Sequence, residues 1–76
     1  MLQPLELQER INHAKRYLNY EINLCKARNA TTQQLADLGR QMDAIHEIER
    51  IGVRNLDDLN MRRITRVLSN VEERMN

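Results

Sequence analysis

Apolar residues recur at helical spacing in three successive stretches of the chain, and the middle stretch has the best-marked ends. Its apolar positions follow at steps of three and four, as in a helix with one buried face; they are Leu35, Leu38, Met42 and Ile45. Thr31 and Gln34 have the spacing of a capping box at the start. Gly52 is expected to end the helix in the left-handed conformation, in a Schellman motif. The pattern predicts a helix from Thr32 to Ile51.

The first stretch, Leu5–Arg28, has no internal Gly or Pro and carries two apolar stripes. The main stripe consists of Leu7, Ile11, Ala14, Leu18, Ile22 and Cys25. The second, here named the tyrosine stripe, consists of His13, Tyr17, Tyr20 and Leu24. Because the connection at 29–31 is short, the first two helices should form an antiparallel hairpin. One hairpin partner covers only one stripe, so the first helix has more apolar surface than that partner requires.

The third stretch carries a heptad-like stripe, formed by Met61, Ile64, Leu68, Val71 and Met75. Asn55 offers a cap for a third helical segment, with Asp57 and Asp58 in its first turn. The alternative, which we favour, is a turn at 55–59 packed under the bundle and a helix recapped by Asn60 that runs to about Arg74. We therefore predict an all-α fold in one domain (1–76), an antiparallel helical hairpin with a third helical segment, forming a small three-helix bundle.

Composition adds a reason for self-association. The 76 residues are 41% hydrophobic but only 3% aromatic, so the core must come from aliphatic side chains and Met. A domain of this size buries a limited area, and a single cysteine allows no internal disulfide. A homodimer is then the leading way to bury more surface. The net charge of +1 creates no global attraction to nucleic acid or membrane. With no signal peptide or long apolar run, we expect a cytoplasmic protein.

Residues that could support catalysis or bind a metal are few. Cys25 lies on the main stripe and is interpreted as a small buried hydrophobe. A nucleophilic thiol would need a nearby base and oxyanion donors, and the only imidazoles are His13 and His46. No His or Cys pair has metal-ligand spacing, and no Gly-rich loop is present. We therefore expect no enzymatic activity, no cofactor, no metal and no small-molecule substrate.

The tyrosine stripe is the predicted partner-binding site. Tyr and His join an apolar body to a polar tip, and Tyr is enriched at protein interfaces. Arg10 and Arg16 would supply charge at the rim, although Arg10 is also expected to pair with Glu6. The predicted function is that of a small adaptor, co-chaperone or stoichiometric inhibitor acting by helix-face docking, or of a homodimer through the same face. In the competing interpretation, the third helix covers the stripe inside the bundle.

A second functional hypothesis concerns the third helix. Arg62, Arg63 and Arg66 form a basic face, here named so throughout, next to Ser69 and Asn70. Such residues contact phosphates and base edges, so a DNA- or RNA-binding regulator is the alternative function. The simpler interpretation is a solvated face whose charges are partly paired.

Overall fold

The computed structural model describes residues 4–75, which form three α-helices. They are α1 (Pro4–Ala27), α2 (Thr32–Ile51) and α3 (Asp58–Met75). Every helix contacts both others, so the predicted all-α three-helix bundle is confirmed. α2 runs antiparallel to α1, and α3 returns parallel to α1. Within residues 4–75 no helix is both long and apolar enough to cross a lipid bilayer.

The connection between α1 and α2 is fixed by backbone and side-chain caps at both ends. Asn29 adopts a positive φ of 55°. The N–H of Ala30 donates to the Cys25 carbonyl at 2.9 Å, and the N–H of Asn29 donates to the Lys26 carbonyl at 3.3 Å. This pair of bonds is the Schellman motif. The predicted capping box that opens α2 is also present.

Gly52 ends α2 differently from the prediction. It has a positive φ of 98°, but its ψ of 130° lies outside the left-handed helical region. Its N–H donates to the Ile48 carbonyl at 2.9 Å, and its own carbonyl accepts from the Asn55 N–H at 2.9 Å. The expected Schellman motif at Gly52 is therefore wrong, because the extended ψ directs the chain straight into the next turn.

The start of α3 also corrects the prediction. Asp57 is the capping residue, since its Oδ1 accepts from the Asn60 N–H at 2.8 Å. Neither Asn55 nor Asn60 provides the cap. The favoured turn before α3 is present, and Leu56 in it packs against the core, but it ends at Asp57 and not at residue 59. Leu59, predicted to pack under the bundle within that turn, lies in α3 and is 73% exposed. With Leu56 packed against the core, Asp57 lies at the N-cap position immediately before α3, which explains why Asp57, and not Asn55 or Asn60, caps the helix.

The core is entirely aliphatic apart from one methionine. Its buried members in α1 and α2 are Leu7, Ile11, Ala14, Leu18, Leu38, Met42, Ile45 and Ile48. α3 adds Ile64, Leu68 and Val71. Along the described chain, no residue of α1 after Leu18 and none of α2 before Leu38 is fully buried. Ile22 and Cys25, predicted on the buried stripe, are therefore only partly buried.

Candidate protein-binding surface

The tyrosine stripe lies along the edge of α1 that faces α3, and α3 covers part of it. Tyr17 is half-buried and packs against the core. Its hydroxyl donates to the Arg74 carbonyl at 3.1 Å, near the end of α3. Burial raises the pKa of the Tyr17 hydroxyl above its ordinary value, and neighbouring Glu21 raises it further. Tyr17 therefore contributes to bundle packing as well as to the surface.

The other members of the tyrosine stripe are more accessible. Tyr20 is 62% exposed, which is high for an aromatic side chain. His13 is also exposed, and Leu24 is half-buried. The two interpretations offered by the sequence thus apply to different residues, because α3 shelters Tyr17 and leaves Tyr20 open.

Arg10 is fixed in a forked ion pair between α1 and α3. Its Nε donates to Glu72 Oε2 at 2.8 Å, and its Nη2 donates to Glu72 Oε1 at 2.6 Å. Hydrogen bonds from Arg10 lower the pKa of the Glu72 carboxyl, against a smaller opposing effect of burial. The same bonds raise the pKa of the Arg10 guanidinium. The expected pairing of Arg10 with Glu6 is wrong, because α3 brings a better-placed carboxylate.

A second ion pair, which the sequence did not reveal, joins α1 to α2. Lys15 Nζ lies 3.1 Å from Glu49 Oε2, and the two side chains are largely buried, with 34% and 26% exposure. Together with the Arg10–Glu72 pair, it ties α1 to both neighbouring helices on either side of the core. By contrast, Arg16 is exposed and makes no ion pair among residues 4–75.

An open groove of 410 Å³ separates the first half of α1 from the end of α3. Its lining comprises Glu6, Glu9, Arg10, His13, Ala14, Glu72 and Met75. Because Arg10 and Glu72 engage each other, the other polar side chains of the lining are two glutamates, Glu6 and Glu9, and the His13 imidazole. No Ser, Thr, Cys or Lys side chain lines this groove.

Cys25 lies in a different cleft, lined also by Glu21, Gln34, Asp37, Leu38 and Arg74. Neither histidine is part of that cleft, so the thiol has no imidazole beside it to act as a base. In the part of the chain that the structure describes, no three metal-ligating side chains come together.

The structure brings the basic face together on the solvent side of α3. Arg62, Arg63 and Arg66 are all exposed and point away from the buried side of the helix. None of the three forms an ion pair with a carboxylate in the described range 4–75. Leu59, one turn earlier on the same side, is 73% exposed. The basic face therefore carries three exposed guanidinium groups with no carboxylate within ion-pair distance among residues 4–75.

Comparison with known proteins provides no assignment. The chain matches no protein-family model, and comparisons with curated proteins and with solved structures gave no significant match.

Proposed function

We propose that this chain is a non-enzymatic protein–protein interaction module that docks on its partner through the exposed side of α1. The observation that supports the proposal most is Tyr20, whose ring is 62% exposed on a rigid helix. Exposed tyrosines on stable helices make effective anchors, since they bury a large area and lose few rotamers on binding. Arg16 and His13 lie one and two turns before Tyr20 on α1 and would form a polar rim on that side of it.

The way in which α1 is held favours this role. Its buried side packs on both other helices, and the pairs Arg10–Glu72 and Lys15–Glu49 fix it from the two flanks. A helix held in this manner presents Tyr20 with little conformational freedom left to lose, which reduces the entropic cost of association. Arg10 then stabilises the docking helix, while Arg16 remains free to interact with the partner.

Substitution at Tyr20 tests the proposal. Tyr20→Ala should leave the helical circular dichroism and the melting temperature nearly unchanged, and should weaken binding of a captured partner by about tenfold or more. Leu59→Ala is the control, because Leu59 is also a strongly exposed large apolar residue, at 73% against 62% for Tyr20, but lies on α3. Tyr17→Ala should instead lower the melting temperature. Partner affinity that is unaffected by Tyr20→Ala would refute docking through α1.

The basic face supports a second candidate function, a DNA- or RNA-binding regulator. The supporting observation is that three exposed guanidinium groups lie together with no carboxylate partner among the described residues. If each contacts one phosphate, the logarithm of the duplex-binding constant should fall with that of salt concentration with a slope of about −2.7. The triple change of Arg62, Arg63 and Arg66 to Ser should abolish this binding. Failure to bind generic duplex at low salt would exclude this candidate.

A further inference from the structure

The side of α1 opposite the core is self-complementary. Helical spacing at about 100° per residue places eight exposed residues there: Asn23 and Ala27 near the end of α1 and, before them, a set of six, Leu5, Glu9, Asn12, His13, Arg16 and Tyr20. We name this set the outer face of α1. Read along the helix, it presents an apolar residue, an acid, two polar residues, a base and an apolar residue.

This order is symmetric about the point between Asn12 and His13. Reversing the helix about that point places Leu5 on Tyr20 and Glu9 on Arg16. A second copy of α1, packed antiparallel about a two-fold axis, therefore meets the first with opposite charges facing and apolar ends matched. Such a repeated contact between identical patches is the hallmark of an isologous interface.

The charges on the outer face favour this arrangement over others. Neither Glu9 nor Arg16 forms an ion pair with any residue from Pro4 to Met75. An antiparallel copy gives each of them a partner, and the two-fold axis makes the pair twice. A parallel copy would place Glu9 against Glu9 and Arg16 against Arg16, which opposes association.

The exposed apolar side chains point to the same occupant. Leu5 is 72% exposed and Tyr20 is 62% exposed, and they lie at the two ends of the outer face. They are about 22 Å apart along the helix, at ~1.5 Å per residue. In the antiparallel pair, Leu5 of each copy would cover Tyr20 of the other. Apolar surface would therefore be removed from water at both ends of the outer face.

We propose that the partner bound by the outer face of α1 is a second copy of this chain, related by a two-fold axis between Asn12 and His13. The inference rests on the proposed function and specifies its partner. A contact between two single helices buries less area than an obligate dimer, so the dimer dissociates readily on dilution.

Charge reversal tests the pairing. Sedimentation equilibrium from about 10 μM to about 1 mM should show a reversible dimer. Glu9→Arg and Arg16→Glu should each weaken it by about tenfold or more. The double variant should restore it to within about threefold, and a mixture of the two single variants should form a heterodimer. Asp43→Arg and Arg62→Glu are the controls, since they change net charge equally at exposed positions outside α1 and should leave the dimer intact.

Cysteine cross-linking tests whether the two α1 helices of the dimer are antiparallel. In a Cys25→Ser background, chains carrying Leu5→Cys are mixed with chains carrying Tyr20→Cys under mild oxidation. The antiparallel pair should give mainly the disulfide between position 5 of one chain and position 20 of the other. The second, symmetric contact in the same dimer still joins the unchanged Tyr20 of the first chain to the unchanged Leu5 of the second. Predominant disulfides between two copies of the Tyr20→Cys chain would overturn the antiparallel arrangement.

The outcomes separate this inference from the proposed function. A chain that stays monomeric at every concentration overturns the second copy as partner, as does a double charge reversal that fails to restore association. If Tyr20→Ala still abolishes binding to a captured partner in that case, docking through α1 stands without self-association.

Discussion

The ion pair between Arg10 and Glu72 allows a quantitative test of how α3 is held on α1. The perturbation consists of Arg10→Gln, Glu72→Gln and the double variant, which remove the charges and keep the side-chain size. The two hydrogen bonds, at 2.8 and 2.6 Å, form the forked geometry in which Arg and a carboxylate interact most strongly. Each single change leaves one charge unpaired between the helices.

The expected magnitude follows from the exposure of the pair. Exposed ion pairs contribute about 0.2–1 kcal/mol. The fork and the partial burial place this pair at the upper end, whereas 38% exposure of the Glu72 side chain keeps it screened by water. We therefore expect a coupling energy of about 1 kcal/mol. For a domain of this length, a loss of that size lowers the melting temperature by about 4–8 °C.

The assay is urea denaturation at neutral pH, monitored by circular dichroism, of the wild type, the two single variants and the double variant. The double-mutant cycle isolates the coupling between Arg10 and Glu72 from the effects of each substitution alone. Repeating the cycle at high salt should reduce the coupling, because the pair is partly exposed and mobile ions screen it.

The difference in unfolding free energy between wild type and Glu72→Gln should depend on pH in a defined direction. Since Arg10 lowers the pKa of Glu72 in the folded state, the ionised carboxylate stabilises the fold. That contribution is complete above the ordinary glutamate pKa of about 4.3. It disappears as the pH falls through the lower, native-state pKa of Glu72. Wild type and Glu72→Gln should therefore converge in stability on acidification.

Two results would refute this reasoning. A coupling energy below about 0.2 kcal/mol at neutral pH would mean that the pair contributes nothing beyond an ordinary surface contact. A stability difference between wild type and Glu72→Gln that stays constant on acidification would mean that the carboxylate charge is not its cause.

Three further substitutions concern the backbone, and thermal melts measure each. Gly39→Ala should stabilise the protein by about 0.5–1 kcal/mol, because the new Cβ meets no atom within 4 Å; a destabilised variant would contradict the open space there. Gly52→Ala should destabilise by about 1–2 kcal/mol, since Gly52 has a φ of 98° and the new Cβ would lie 3.2 Å from Asn55 Nδ2. Thr31→Ala should cost about 1 kcal/mol by removing the capping box of α2, and Thr32→Ala, one residue on, serves as its control.

Local chemistry made the middle of the chain predictable. The capping box depends on Thr31 and Gln34 alone, three residues apart, so spacing suffices to identify it. The buried side of each helix follows from the periodicity of its apolar residues in the same way. α2 accordingly begins and ends at the predicted residues.

Choices among equivalent local signals were not predictable. Both Asn29 and Gly52 suit a helix end with positive φ, and the Schellman motif occurs at Asn29. Asn55, Asp57 and Asn60 are all good caps, and the docking of the preceding turn on the core selects Asp57. Such choices depend on where the rest of the chain lies.

Contacts between distant segments were the least predictable part of the candidate site. Arg10 and Glu72 are 62 residues apart, and no pattern along the chain marks them as partners. The same contact between α1 and α3 determines that Tyr17 is partly covered and Tyr20 is not. The sequence identified the tyrosine stripe as a unit, but only the position where α3 ends shows which of its members are accessible.

The hairpin tip, where the end of α1 meets the start of α2, contains a residue that can report on local motion. Cys25 lies there, half-exposed, beyond the fully buried layers that end at Leu18 and Leu38. Separation of the last turns of α1 from the first turns of α2 would expose the Cys25 side chain further while the layers around Ile45 stay closed. A thiol-specific reagent would then modify Cys25 faster than it does in the closed hairpin, so that the change in labelling rate reports how tightly the hairpin tip is closed.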